Sequence, residues 1–368
     1  MTKLVTLLIV SLFLAYLSEK NVLVIRFSGK YIDVALVLLI TVLSLFCGLR
    51  TEYNDTEAYI LVFKTAPVVD VLFLEGLNLL GNPAFYFLTS VFRHLVTENY
   101  HVYFCIIAFF CVGSMVCTIK RYSESFVFSI LLFFCLGLYV SNLAAVKQCI
   151  AIAILLFAIP KLLERKYVQF YLLVFVAMLF HTYALLFVIA PLFLNKPWSF
   201  TTYLSIAVIL ALLLTFDSSI TRFLELADTV GKELSEEIVL ETEGINTLRL
   251  AVFAVPVLFS FLFRKRLNIR STKTDCFMIN MSIFSFLVMS LGVYSGANLF
   301  GRSAHYFVFG VLIALPWMVK KIFTRTSAFA VLSIAAICYL VFFWYGNQNF
   351  DVLYRSISFG TFISTILA

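Results

Sequence analysis

The strongest constraint in this sequence is the repetition of apolar runs that are long enough, or nearly so, to cross a lipid bilayer as helices. A spanning helix needs about 20 apolar residues, and shorter helices serve where polar flanking side chains reach the interface. About twelve runs fit this description. They cover residues 3–18, 33–49, 102–119, 126–142, 146–160, 167–180, 183–194, 203–216, 248–263, 276–292, 303–319 and 327–345. The pattern predicts an all-α polytopic integral membrane protein.

The composition excludes a soluble enzyme of this length. Hydrophobic residues make up 62% of the 368 residues and charged residues 13%, whereas soluble domains are roughly 45–50% apolar and about 25% charged. Because no linker or polar domain interrupts the runs, we expect one membrane domain over residues 1–368. Two further apolar stretches, 83–97 and 352–368, are too short or too interrupted to span, and we expect re-entrant or interfacial helices there.

Charge position predicts the orientation of the chain in the membrane. Alternate short connections between the runs carry 17 of the 27 basic residues, and basic loops face the cytoplasm. Both chain ends are then extracytoplasmic, together with two long loops at 50–101 and 217–247, of which the second is acidic. The net charge of +7 is the difference between the basic cytoplasmic side and the more acidic outer side. It therefore does not indicate a nucleic-acid partner.

Chemical motifs for cofactors are missing from the sequence. The eight cysteines are scattered through apolar runs without the spacing of metal ligands or a disulfide framework. The sequence contains no phosphate-binding glycine loop, dinucleotide fingerprint or zinc-protease motif. We therefore expect no metal and no cofactor.

Several ionisable side chains lie at the expected outer ends of the runs, where insertion into the membrane makes charge costly. They are Arg50, Asp55, Lys147, His181, Arg302 and His305. Two interpretations remain open for each: a cationic pocket for a diphosphate with a nearby base, or interfacial anchors and structural hydrogen bonds. Outer tyrosines such as Tyr86 and Tyr306 fit either stacking on sugar rings or an interfacial aromatic belt.

The spacing of these residues resembles a known family. Gly48-Leu49-Arg50 followed by Asn54-Asp55-Thr56 and Tyr59 is similar to the G-x-R…D-T-x-x-Y opening of the EpsG-like polysaccharide polymerases, relatives of the Wzy polymerases of O-antigen and capsule. Glu75 with Asn82-Pro83-Ala84-Phe85 loosely resembles the family's E-P-x-F stretch.

Later segments continue the resemblance. Asn142, Lys147-Gln148 and Phe180-His181-Thr182 resemble the family pattern N-x-x-R-Q…F-H-x-S, with lysine in place of arginine and threonine in place of serine. Arg302 to Phe307 echoes a late R-x-x-x-Y-F element. Because an ammonium lacks the planar fork of a guanidinium, the lysine gives up a bidentate grip on phosphate.

The resemblance implies a metal-independent glycosyltransferase of the GT-C type. Such an enzyme joins undecaprenyl-diphosphate-linked oligosaccharide repeat units, as donor and acceptor, on the outer face of the bacterial cytoplasmic membrane, for lipopolysaccharide or capsule. Membrane lipid and a chain-length regulator protein are the further partners expected. The implied roles are substrate binding for Arg50, Lys147, Gln148, Arg302 and Tyr306, and proton acceptance for Asp55, His181 or His305.

Two other functions compete with this interpretation. Twelve spans and a cationic site would also suit a flippase that moves the same lipid-linked units. The sequence shows no matching halves of the kind that transporter repeats leave, however, and the unusual charges are expected at one leaflet rather than at the midplane. The other competing hypothesis is a membrane O-acyltransferase that uses His181, but no neighbouring Asn or Asp pattern supports it.

Overall fold

The computed structural model describes residues 1–27, 29–69, 81–215 and 244–367. Glu75 and nearly all of the predicted acidic loop at 217–247 lie outside the described residues. The chain divides into two compact units. The first comprises Met1–Ile159, Leu172–Ala184 and Phe343–Ala368, and the second comprises Pro160–Tyr171 and Leu185–Phe342.

The described residues in the first half of the chain form a series of apolar helices and a β-hairpin. The elements are α1 (Thr2–Glu19), β1 (Val24–Phe27), β2 (Lys30–Asp33), α2 (Val34–Gly48), β3 (Arg50–Glu52), α3 (Thr56–Lys64), α4 (Pro83–Val91), α5 (Tyr100–Tyr122), α6 (Phe126–Cys135), α7 (Leu138–Ala144), α8 (Val146–Leu163) and α9 (Tyr167–Phe180). β1 and β2 pair antiparallel. The hairpin ends at Asp33, whose carboxylate accepts from the amide of Leu36 and so caps α2.

The end of α2 packs unusually close to α5. A Cβ atom on Gly48 would lie 2.2 Å from Sγ and 2.7 Å from Cα of Cys105, so only glycine allows this approach. The ring of His101 contacts the Gly48 carbonyl at 3.1 Å. The Gly of the G-x-R pattern thus brings the following Arg50 against α5.

The predicted run at 126–142 is a bent helix. Gly137 has a φ of +79°, a conformation that glycine adopts without a steric penalty. It separates α6 from α7, which differ in direction by 47°.

The second half of the chain continues with a 3-10 helix over Thr182–Leu194 and further α-helices. These are α10 (Phe200–Leu214), α11 (Thr247–Leu262), α12 (Arg264–Arg270), α13 (Lys273–Ser290), α14 (Ala297–His305), α15 (Phe309–Ile322) and α16 (Arg325–Gly346). α13 and α15 pack tightly, since a Cβ on Gly310 would lie 2.5 Å from the backbone nitrogen of Ser282.

The C-terminal segment returns to the first unit. It contains α17 (Phe350–Leu353), β4 (Arg355–Ser356) and α18 (Phe359–Leu367). β4 pairs antiparallel with β3, with Arg50 opposite Ser356. The hydroxyl of Tyr354 donates to the Phe46 carbonyl at 2.6 Å, and its ring stacks on Phe46 with centroids 4.5 Å apart. The end of α2 is therefore packed against residues that lie about 300 positions later in the sequence.

In the part of the chain that the structure describes, each of the twelve predicted runs forms helix, and the fold is that of an all-α polytopic membrane protein with two small two-stranded sheets. Within the described residues, five helices are long and apolar enough to cross a membrane, or up to eight if each bent pair is one span. The predicted count of twelve is not confirmed, because several runs form helices of only 13 to 15 residues or break within the run. The stretch at 83–97 is α4 followed by a π-helical turn, Phe92–Val96, and 352–368 contains β4 and α18.

Candidate functional site

Arg50 is the most unusual charged residue of the first unit. Its side chain is 1% exposed. Nε donates to Oγ1 of Thr56 at 3.1 Å, and Nη1 donates to the Cys47 carbonyl. The guanidinium lies over the ring of Phe104, 4.3 Å from its centroid. Thr56 in turn donates to the Tyr53 carbonyl at 2.6 Å, so the arginine and threonine of the predicted motif form one network.

The charge of Arg50 has no counter-ion in the described part of the chain, where no carboxylate lies within 4.0 Å. Burial raises the pKa of Tyr53 to about 12, and burial also raises the pKa of Tyr354 above its ordinary value. Both phenols are therefore neutral and supply no counter-charge. Burial lowers the pKa of the Arg50 guanidinium as well, because the charged form loses its hydration. A buried ion without a partner is costly, and this cost points to a function.

A small cavity adjoins Arg50. Its lining comprises Arg50, Phe104, Ile107, Ala108, Cys111, Asn142, Val146 and Cys149. Nη2 of Arg50 and Oδ1 of Asn142 are both buried and make no hydrogen bond within the described residues. Two of the lining residues, Arg50 and Asn142, therefore each carry a buried polar atom without a hydrogen bond in the described part of the chain, and the rest of the lining is largely apolar.

Lys147 lies in the first turn of α8, between the cavity-lining residues Val146 and Cys149. Its ammonium donates to the hydroxyl of Tyr86 at 3.0 Å. Nζ also lies 5.0 Å from the ring centroid of Phe85 and 4.5 Å from that of Tyr86. Gln148, the next residue, is buried.

Helix α4 connects the motifs that are distant in sequence. Asn82, which precedes it, has a φ of +61°, a left-handed conformation that asparagine tolerates. Its side-chain oxygen accepts from the amide of Thr182 at 3.3 Å. The ring of Phe85 meets that of Tyr59 edge-on, with centroids 5.8 Å apart. The stretches around Tyr59, Asn82, Lys147 and Thr182 therefore come together in the first unit.

The candidate bases of this unit differ in environment. Asp55 precedes α3, is exposed, and its carboxylate makes no hydrogen bond to cap the helix. Glu52, the other acidic neighbour of Arg50 in sequence, instead pairs with Arg355 at 3.9 Å. His181 is half-buried, and its ring contacts Tyr183 edge-on at 5.0 Å.

The second unit contains its own basic cluster. His305 is buried at the end of α14, and its Nε2 accepts from Nη2 of Arg249 at 3.1 Å. Arg302 lies one turn earlier and is half-buried, and Tyr306 is buried directly after the helix. Gly301 leaves room for the Arg249 guanidinium, since a Cβ there would lie 3.3 Å from Nη1.

Sequence reasoning missed Arg249, and it considered Tyr86 only as one of several outer tyrosines that could stack on sugar rings or form an interfacial belt. Arg249 occupies the first turn of an apolar helix. Like Arg50 and Arg302, it is a cation at the end of a predicted apolar run, and this pattern could have identified it from the sequence. The contact of Tyr86 with Lys147 had no signal in the sequence, because it joins residues 61 positions apart.

These helices and their costly buried charges define an integral membrane protein with polar groups gathered at helix ends. A family model described as the EpsG family matches residues 33–356, and the chain belongs to this family. The resemblance seen in the motifs is thereby confirmed. No match was found among curated proteins or among solved structures. Family membership supports a membrane-bound polysaccharide polymerase.

Proposed function

We propose that this protein joins undecaprenyl-diphosphate-linked oligosaccharide repeat units at the outer face of the bacterial cytoplasmic membrane. The observation that carries the proposal is the buried Arg50 guanidinium, which lacks a counter-ion in the described residues. An anionic substrate next to this cavity would supply the missing negative charge. Cations placed where a diphosphate leaves stabilise the charge that develops in the transition state.

The reaction would be a substitution at the anomeric carbon of the donor sugar. The bond to the lipid diphosphate breaks, the acceptor hydroxyl oxygen forms the new glycosidic bond, and its proton passes to a base. In the first unit, Arg50, Lys147 and Gln148 would bind the diphosphate. In the second unit, Arg302 and Tyr306 are the proposed substrate-binding residues.

Among the three proposed bases, Asp55 has the most favourable surroundings. It is exposed and its carboxylate does not cap α3, so it is available to accept a proton. His181 remains a candidate at the end of α9. His305 already accepts a hydrogen bond from Arg249 at Nε2, which occupies one of its two ring nitrogens.

The decisive experiment uses purified protein in liposomes with lipid-diphosphate repeat units and with no nucleotide. We expect a ladder of longer products, and we expect the ladder to persist when a chelator removes free metal ions. Units that change leaflet without lengthening would establish a flippase and refute the proposal. Addition of a chain-length regulator should change the length distribution of the ladder and leave the linkage unchanged.

The proposed orientation has an independent test. The basic connections predict that Lys265 is cytoplasmic and that Glu237, in the acidic loop, is extracytoplasmic. Reporters fused after each position should therefore be accessible from opposite sides of the membrane. The reverse pattern would put Arg50 and Lys147 at the cytoplasmic face and contradict the outer-face site.

A further inference from the structure

Lys147 and Tyr86 form a pair whose geometry leaves hydrogen-bond donors free. The ammonium donates one of its three N–H groups to the phenol oxygen at 3.0 Å. Because Tyr86 accepts this bond on a lone pair, its own O–H points elsewhere. Neither side chain makes any other hydrogen bond or ion pair among the residues that the structure describes. Tyr86 is 38% exposed, and Lys147 is half-buried.

The pair is held in place from several sides. The ammonium lies over the rings of Phe85 and Tyr86, which restricts the flexible lysine side chain. Helix α4, which carries both rings, is anchored to α5 by a 2.8 Å hydrogen bond between Thr89 and Tyr103. The remaining donors of the ammonium and the phenol are thus pre-organised within about one hydrogen-bond length of each other.

We propose that Lys147 and Tyr86 act together as a two-donor clamp on one diphosphate group of the lipid-linked substrate. The inference rests on the proposed polymerase function. An ammonium alone is a point charge, whereas a guanidinium presents two parallel donors to a phosphate. The hydroxyl of Tyr86 supplies the second donor. Its bond to the cation also polarises the phenol and strengthens its donation.

Four versions of the full-length protein in liposomes test the clamp: wild type, Tyr86→Phe, Lys147→Arg and the double variant. Tyr86→Phe removes the hydroxyl and keeps the ring under the cation. Lys147→Arg restores a two-donor fork on one side chain. Matched controls come from Lys64 and Tyr100, where Nζ lies 5.6 Å from the ring centroid without a hydrogen bond between the two side chains. Lys64→Arg and Tyr100→Phe should leave chain extension unchanged.

We expect Tyr86→Phe to slow chain extension about tenfold or more when residue 147 is lysine, as loss of a charge-assisted hydrogen bond predicts. In the Lys147→Arg background the same change should cost less than about threefold, because the guanidinium supplies both donors. The inhibition constant of undecaprenyl diphosphate should weaken in parallel with activity. Equal losses in both backgrounds, or no loss with lysine, would overturn the clamp.

Failure of the clamp is distinguishable from failure of the proposed function. Wild-type protein that extends chains while Tyr86→Phe is neutral refutes only the clamp, whereas wild-type protein that makes no ladder refutes the polymerase. Liposomes with and without phosphatidylglycerol distinguish binding of the substrate diphosphate from binding of phosphate groups on membrane lipids. If the dependence on Tyr86 disappears when the anionic lipid is removed, the pair binds lipid headgroups and the proposal is wrong.

Discussion

Replacing Arg50 by methionine separates the effect of the buried charge on stability from its effect on activity. The substitution keeps an unbranched side chain of similar length and removes the guanidinium. It loses two hydrogen bonds, to Thr56 and Cys47, and the contact with Phe104. These interactions are worth about 1 to 3 kcal/mol each. The gain is relief of an unpaired buried ion, which costs several kcal/mol.

The two contributions to stability are of similar size, so Arg50→Met should fold and insert with a thermal unfolding midpoint near that of the wild type. Activity should respond differently. A phosphate about 4 to 8 Å from the guanidinium, at an effective dielectric constant of about 20, interacts with it by about 2 to 4 kcal/mol. Loss of that interaction corresponds to a decrease in rate of about 30- to 1,000-fold.

The assay measures chain extension in liposomes together with thermal unfolding in detergent. Arg93→Met is the matched control, because Arg93 also lies over a phenylalanine ring, Phe63, but pairs with Glu98 at 3.6 Å. This control should extend chains normally. Wild-type activity of Arg50→Met would refute the role of its charge in anion binding. A collapse of its stability would instead refute the energetic argument.

Three further substitutions test other features of the structure. Gly48→Ala should lower the unfolding midpoint, since the new Cβ meets the backbone of Cys105 and overpacking costs about 1 to 3 kcal/mol; Gly346→Ala, with nothing within 4 Å, should be neutral. Tyr354→Phe should cost about 1 kcal/mol through its lost hydrogen bond to α2, measured by thermal unfolding in detergent. Asp55→Asn should leave the unfolding midpoint nearly unchanged but abolish chain extension, and an active variant would remove Asp55 as the base.

The apolar runs of the sequence predicted where the helices lie, but not how many of them are long enough to span a membrane. The twelve predicted runs form helix in the described residues, because burial of apolar surface and backbone hydrogen bonding both favour helices in a membrane. The count of spans depends on where helices bend or stop. Gly137 illustrates this, since its left-handed conformation interrupts an apolar run that hydropathy alone treats as continuous.

The sequence singled out individual charged residues as candidates, but it did not show which residues they contact. Arg50 and Lys147 stand out in the sequence because a charge in an apolar run is costly wherever it lies. The pairing of Lys147 with Tyr86 was not visible, and neither was the strand after Tyr354 that pairs beside Arg50. Such contacts join positions tens to hundreds of residues apart and leave no periodic signal.

The membrane class, the helical segments, the family and the few charged residues that require a physical reason can all be read from the sequence. These properties depend on composition, on periodicity and on the cost of charge in lipid, all of which are local. The three-dimensional fold is needed to show that Arg50 is buried without a carboxylate partner in the described residues, and that Lys147 donates a hydrogen bond to Tyr86. Burial and hydrogen bonding are relations between distant segments, and packing alone brings those segments together.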